Sequence, residues 1–117
     1  MPEGTAAVRV AVTSSQGRRV DQHFGQAKHF LVFEVESGRS RYLEARPVPE
    51  VEAESGETRA AGLDRAVGAI SDCRLLLTLR AGVHARERLE RRGVECMEFE
   101  GPLLAGLEIA RSRLAGT

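Results

Sequence analysis

The chain contains 117 residues, and its 17 Lys and Arg residues balance 17 Asp and Glu residues, giving a formal net charge of zero. Its length and its 42% hydrophobic content suit one compact globular domain. No apolar run approaches the ~20 residues that span a bilayer, no signal peptide is recognisable, and the balanced charge argues against nucleic-acid binding. We therefore expect a cytoplasmic protein with neither a membrane nor a nucleic acid as partner, in an oligomeric state that the sequence leaves open.

The first half of the chain predicts a strand followed by a hairpin. Residues 1–6 are expected to be a loose leader, and the β-branched alternation of residues 8–12 predicts the first strand. Residues 13–29 are rich in turn formers and then aperiodic, which predicts a loop with room for one helical turn. The mostly apolar residues 30–35 and the residues 41–46 flank a hairpin turn and predict two antiparallel strands.

The second half alternates helices with strands. Pro47 and Pro49 are expected to end the third strand, and the acidic residues 51–57 are expected to form a mobile loop. The elements predicted next are a helix over 58–70, a strand over 74–79, a helix over 83–92 with Gly93 as its cap, a strand over 94–99 and a last helix opened by Gly101 and Pro102. This order predicts parallel strands joined by a right-handed crossover.

These elements predict an α/β fold in which helices cover a mixed sheet of about five strands. The first and fourth strands are expected to lie side by side at the centre. Ligands of open α/β sheets bind beyond the carboxyl ends of the strands, where the connections diverge. We therefore expect the functional residues in the loop 13–29 and in residues 80–84.

All three histidines of the chain fall in these two loops: His23, His29 and His84. Imidazole binds iron, zinc, copper or nickel, and it can also act as an acid or base near neutral pH. A loop histidine can equally be an exposed or capping residue. Asp21 lies two residues from His23 and could orient its ring.

Other chemistries receive less support. Ser14 and Ser15 lie nearby, but no GxSxG motif surrounds them, and no phosphate-binding glycine motif is present. The Gly82 turn before a helix could receive an anion on backbone N–H groups. Four cations could add positive charge there or simply be solvated: Arg18, Arg19, Lys28 and Arg80.

The two cysteines, Cys73 and Cys96, make neither a disulfide scaffold nor a four-ligand zinc site. We expect them to be buried and to pack as small hydrophobic residues. Cys73 precedes the fourth strand and Cys96 lies in the middle of the fifth, an offset of roughly 10 Å, so a bond between them is not expected.

The segment Val20-Asp21-Gln22-His23-Phe24-Gly25, followed by the apolar strand 30–35, resembles the dinitrogenase iron–molybdenum cofactor biosynthesis family. This family comprises domains of the NifX, NafY and C-terminal NifB type. The resemblance runs from Val8 onward and continues through Ser71-Asp72-Cys73, Gly82, Leu89 with Gly93-Val94, and the start of the last helix.

The resemblance implies a ribonuclease-H-like three-layer α/β/α fold with a five-stranded mixed sheet over the single domain 1–117. It also implies a non-enzymatic carrier of an iron–molybdenum or iron–sulfur cofactor, or of its precursor, in nitrogenase cofactor assembly. Its implied metal ligand is His23, with His84 and His29 as further candidates, and its implied partners are cofactor-assembly proteins or apo-nitrogenase. Together with the predicted topology, the resemblance implies that the following residues bind the cofactor: His23, Asp21, Gln22, Phe24, Gly25, Ser14, Arg80 and Gly82.

Two alternatives remain open at this point. One is a small regulatory or partner-binding domain of the same fold that binds an anion or a protein without a metal cluster. The other is a small hydrolase.

Overall fold

The structure is a computed structural model that describes residues 7–48 and 59–115. The predicted leader 1–6, the predicted mobile loop 51–57 and Pro49 lie outside these ranges. The described strands are β1 (Val8–Val12), β2 (Arg19–Val20), β3 (His29–Glu36), β4 (Arg39–Pro47), β5 (Leu75–Thr78), β6 (Glu95–Glu98) and β7 (Gly101–Pro102). The described helices are α1 (Arg59–Ala69), α2 (Val83–Arg91) and α3 (Leu103–Ala115).

Five strands form one mixed sheet in the order β4-β3-β1-β5-β6. β1 runs parallel to β5, with Val12 opposite Leu77, and antiparallel to β3, with Val12 opposite Leu31. β6 continues the parallel half, and β4 completes the hairpin with β3. The predicted hairpin and the central pairing of the first and fourth predicted strands are therefore confirmed.

Helices cover both faces of the sheet. On one face α1 and α2 bury side chains such as Ala66, Val67 and Leu89 against Leu76 and neighbouring residues of the sheet. On the other face α3 buries Leu103, Leu107 and Ala110 against alternate residues of β1 and β5. All four β5 residues are buried because both of their faces are covered, which explains the nearly continuous apolar run in the sequence.

The start of α3 corrects one prediction. Gly101 and Pro102 do not open the helix; they form β7, which pairs antiparallel with β2 in a separate two-stranded sheet. The helix begins at Leu103, whose N–H donates to the carbonyl of Arg18 (2.8 Å). The prediction that Pro47 ends the third strand is confirmed, because Pro47 is the last residue of β4, an edge strand of the sheet.

The predicted glycine cap of α2 is confirmed. Gly93 has φ +78°, a left-handed conformation that glycine adopts without steric cost. Its N–H donates to the carbonyl of Glu90 (3.0 Å), and the Val94 N–H donates to that of Leu89 (2.9 Å). These bonds satisfy carbonyls that the helix end would leave unpaired.

Both cysteines are buried and free, as predicted. Cys96 lies opposite Leu76 in the β5–β6 register, and Cys73 precedes Leu76 by three residues. Burial raises the pKa of the Cys73 thiol to about 12, and Asp72 adds to the effect. Burial also raises the pKa of Cys96, so both thiols are protonated at neutral pH.

Gly106 lets α3 approach the sheet closely. A Cβ at this position would lie 2.8 Å from Leu77 Cδ2 and 2.9 Å from Phe99 Cδ2. We expect Gly106→Ala to destabilise the protein by about 1–2 kcal/mol, because overpacking outweighs the gain in helix propensity. Urea unfolding checks this, with Gly68→Ala in α1 as control, since a Cβ there would meet only Arg92 Nη1 at 3.9 Å. A stabilised Gly106→Ala variant would contradict this account of the packing.

Asp72, in the turn between α1 and β5, joins two strands through arginines. It accepts hydrogen bonds from Arg46 Nη1 (2.6 Å), Arg46 Nη2 (2.9 Å) and Arg9 Nη1 (2.9 Å). The bonds from Arg46, followed by its charge and the bond from Arg9, lower the pKa of Asp72 to about 2 against the opposing effect of burial. The stabilising contribution is therefore complete above the unfolded-state pKa of about 3.9 and is lost as the pH falls through about 2.

We expect Asp72→Asn to lower the free energy of unfolding at pH 7 by up to about 1 kcal/mol, since the pair is partly exposed and screened by solvent. The difference from the parent should shrink as the pH falls from about 4 to about 2. Urea titrations at several pH values measure it, with Glu100→Gln, at an exposed glutamate outside the Arg46 network, as a control for loss of a surface charge. A difference independent of pH would contradict the assignment to Asp72.

Candidate functional site

The chain segment 22–24 crosses the carboxyl ends of β1 and β5. The Phe24 N–H donates to the carbonyl of Arg80 (2.8 Å), and the Leu79 N–H donates to the carbonyl of Gln22 (3.1 Å). His23 is thereby paired with Arg80 in an isolated parallel bridge. The segment extends the edge of the parallel sheet by hydrogen bonds, and this holds the backbone of His23 in a fixed position.

Two buried threonine hydroxyls strengthen this junction. Thr13 and Thr78 are fully buried, and their Oγ1 atoms lie 2.8 Å apart. Each Oγ1 also lies within hydrogen-bonding distance of the Gln22 carbonyl, at 2.8 Å for Thr13 and 3.1 Å for Thr78. Since each hydroxyl has one hydrogen, one threonine can donate to the other, which donates to Gln22. Neither threonine was predicted from the sequence to belong to the site, although each lies at the end of a buried strand.

Phe24 fixes the segment 22–24 to the hydrophobic core. Its side chain is buried and stacks on Phe30, with ring centroids 5.5 Å apart and planes inclined by 24°. Phe30 is itself fully buried on the face covered by α1 and α2. The residue that follows His23 is therefore part of the core, which explains an aromatic residue at this point of a loop.

His23 itself is exposed. It precedes a single 3-10 turn, Phe24–Gln26, and its backbone is extended, with φ −69° and ψ 152°. The turn agrees with the helical turn expected within the loop 13–29. His23 lies near the Gly82 turn, because its partner Arg80 lies two residues before Gly82.

Ser14 and Asp21 brace the loop that leads to His23. Ser14 Oγ accepts the Gly17 N–H (2.8 Å) and donates to the carbonyl of Arg19. The Asp21 carboxylate accepts the N–H of Ser15 (2.9 Å) and its hydroxyl (2.7 Å). These two bonds lower the pKa of Asp21. The carboxylate that was expected to orient His23 is thus bound to Ser15 instead.

An open groove of about 1110 Å³ adjoins the His23 segment. One wall is residues 24–29, and the opposite walls are the end of β4, the α1 residues Gly62, Leu63 and Ala66, and residues 82–85. His29 and His84 both line it, and His84 Nδ1 lies 3.8 Å from Glu87 Oε1. The prediction that all three histidines lie at one end of the sheet is confirmed.

Two glycines leave backbone accessible at the groove. A Cβ added at Gly25 or at Gly82 would meet no atom within 4 Å. Neither glycine is therefore required by packing within the described residues. At both positions a bound group can approach the backbone closely.

The loop between β5 and α2 contains an acidic contact that the sequence analysis missed. Glu98 Oε2 accepts the Ala81 N–H (3.1 Å) and pairs with Arg86 Nη2 (3.1 Å). These contacts, the Ala81 bond first, lower the pKa of Glu98. Within residues 7–48 and 59–115, no ion pair engages Arg18, Arg19, Lys28 or Arg80, and all four side chains are exposed.

A metal ion at His23 would have few protein ligands. In the described part of the chain, no group of three or more His, Cys, Asp and Glu side chains converges to hold an ion. Any inorganic cargo held there would therefore keep most of its own ligands. In the same ranges, no helix has the length and apolar character needed to cross a membrane.

The geometry defines an α/β protein with an exposed histidine at the switch point of its sheet. The family model for the dinitrogenase iron-molybdenum cofactor matches residues 6–108. The chain belongs to this family, as its His23 motif had suggested.

Curated relatives agree with this assignment. The FeMo cofactor biosynthesis protein NifB of Frankia alni is 34% identical over 94 residues, which cover 79% of this chain and 18% of that protein. NifY of Azotobacter vinelandii is 35% identical, covering 75% of this chain and 34% of its own length. NifX of Rhodobacter capsulatus is 28% identical, with 97% and 74% covered. The chain thus spans less than a fifth of the NifB relatives.

Solved structures share the fold. The crystal structure of PH0822 matches with a TM-score of 0.61 and 22% identity over 77% of each chain. The NMR structure of a Thermotoga protein matches with a TM-score of 0.56 and 20% identity, over 90% of this chain and 88% of that one.

The threonine pair gives a test of the junction. We expect Thr13→Val and Thr78→Val each to destabilise the protein by about 1 kcal/mol, because each removes a buried hydrogen bond while keeping the side-chain shape. The double variant should cost less than the sum of the two, since the hydroxyls share one bond. Urea unfolding of the four proteins measures this coupling. Strict additivity would show that the two hydroxyls act independently.

Proposed function

We propose that this chain is a non-enzymatic carrier of an iron–molybdenum or iron–sulfur cofactor, or of its precursor, in nitrogenase cofactor assembly. Its proposed metal ligand is His23. The observation that carries the proposal is an exposed imidazole on a backbone that is hydrogen-bonded to the end of β5 on both sides of the residue. Membership of the cofactor family and the names of the NifB, NifX and NifY relatives support it.

A single imidazole suits a carrier because a carrier must release its cargo. Imidazole is a good ligand for iron, whereas clusters held permanently are fixed by several cysteine thiolates. Both thiols here are buried and protonated at neutral pH. His23 therefore offers an attachment that another protein's ligands can displace.

The surroundings of His23 would supply the rest of the affinity. Gly25 and Gly82 leave backbone accessible beside the groove, and Gly82 precedes α2, whose first N–H groups can bind an anionic group. Arg80 and Lys28 add positive charge for an anionic cargo. His29 and His84 line the groove and remain further candidate ligands.

Three hydroxyl groups near His23, those of Thr13, Ser14 and Thr78, serve structural hydrogen bonds, which agrees with a non-enzymatic role. Ser14 Oγ both donates and accepts within its own loop, and the hydroxyls of Thr13 and Thr78 are engaged with each other and with Gln22. A nucleophile needs a free hydroxyl beside a base, and these hydroxyls serve structural bonds.

The proposal includes the wider setting of the protein. We treat residues 1–117 as a single cofactor-biosynthesis-type domain with a ribonuclease-H-like architecture, located in the cytoplasm. Its proposed partners are nitrogenase cofactor-assembly proteins or apo-nitrogenase. The three-layer arrangement supports the architecture, and the names of the relatives support the partners.

Anaerobic titration with isolated iron–molybdenum cofactor tests the role of His23. We expect the parent protein to bind with a shift in the cofactor's absorbance and His23→Ala to lose more than about tenfold in affinity, since even outer-shell changes at metal sites cost about 10–100-fold. The imidazole is exposed, so the variant should unfold at the same urea concentration as the parent.

His29→Ala and His84→Ala test the two further candidate ligands against His23, because both histidines are exposed at the same end of the sheet. Each should retain most of the affinity. If His23→Ala binds as tightly as the parent, the ligand assignment is wrong. If the parent binds no cofactor, the partner-binding alternative replaces the carrier.

A further inference from the structure

Gln26 contacts the backbone of His23 in two places. Its side-chain Oε1 accepts the His23 N–H (3.1 Å), and its own N–H donates to the His23 carbonyl (3.0 Å). The two residues are three apart and enclose the 3-10 turn Phe24–Gln26. Gln26 is exposed and lines the groove beside the proposed cargo site.

These two bonds complete the fixation of the segment. The carbonyl before His23 and the N–H after it are bound to the end of β5, through Leu79 and Arg80. The N–H and carbonyl of His23 itself are bound by Gln26. Four successive polar groups of the backbone are therefore hydrogen-bonded: the Gln22 carbonyl, the His23 N–H, the His23 carbonyl and the Phe24 N–H. Gln26 binds the two groups of His23, one through its side chain and the other through its backbone N–H.

The chemistry of the contact fixes the orientation of the Gln26 amide. A backbone N–H can be accepted by the side-chain oxygen and not by the NH₂ group. Glutamate preserves the acceptor, and glutamine and glutamate are both favoured at this third position after a capping residue. Methionine has a similar length but only a weakly accepting sulfur, so it removes the bond and keeps most of the shape.

We propose that Gln26 is a positioning residue for the cargo ligand: it holds the backbone of His23 so that the imidazole is already oriented when cargo arrives. The expected consequence for binding rests on the proposed function. The two hydrogen bonds between Gln26 and the backbone of His23, which we call the backbone lock, do not depend on cargo. Ordering the ligand before binding reduces the entropy lost when the cargo is held. Loss of Gln26 should therefore weaken binding only through His23.

Hydrogen exchange of the His23 amide tests the lock without any cargo. We expect Gln26→Met to accelerate exchange of this amide by roughly fivefold to tenfold, the effect of one net hydrogen bond. Gln26→Glu should preserve the protection. Gln16→Met is the matched control, since Gln16 is an exposed glutamine in the preceding loop.

A double-mutant cycle with isolated iron–molybdenum cofactor tests the consequence for binding. Gln26→Met should weaken binding by roughly fivefold in the parent and cause no further loss in the His23→Ala background, because its effect passes through that residue. An equal loss in both backgrounds would overturn the proposal, and so would unchanged exchange of the His23 amide in Gln26→Met. If the parent binds no cofactor, the proposed function fails, and the exchange measurement alone decides whether Gln26 locks His23.

Discussion

The hydrogen-bonded junction between the segment 22–24 and the end of β5 is the constraint on which the proposed site depends. Without the bonds from Phe24 to Arg80 and from Leu79 to Gln22, His23 would be an ordinary residue in a long loop. With them, the loop becomes a continuation of the sheet. The buried threonine hydroxyls add a polar connection inside a region that is otherwise apolar, where hydrogen bonds are strong because water is excluded.

Most of the fold could be predicted from the sequence because its signals are local. The alternation in residues 8–12, the apolar run of β5 and the glycine after α2 each act within a few residues. Parallel strand geometry then places the loops after β1 and β5 at one end of the sheet, and with them the histidines. The exceptions are β2, which lies in a segment expected to be a loop, and β7. A strand of two residues shows no periodicity, and Pro102 instead resembles a helix start.

The site was less predictable because its contacts join residues far apart in the chain. Thr13 and Thr78 are 65 positions apart, and neither local sequence indicates a contact with the other. Asp21 illustrates the converse error: its closeness to His23 in sequence suggested a contact, but the turn directs its carboxylate to Ser15. The exposure of His23 was predictable from its loop, whereas the lock by Gln26 depends on a 3-10 turn with no clear sequence signature.

The burial of both cysteines separates the oxygen tolerance of the polypeptide from that of its proposed cargo. A thiol kept in its protonated form reacts slowly with oxidants and does not capture iron from solution. The empty protein should consequently withstand handling in air without forming cysteine-linked dimers, while strict anaerobiosis is required only once a cluster is attached. An acceptor rich in accessible thiolates would then draw the cluster away, because both cysteines of this chain are buried and do not compete for it.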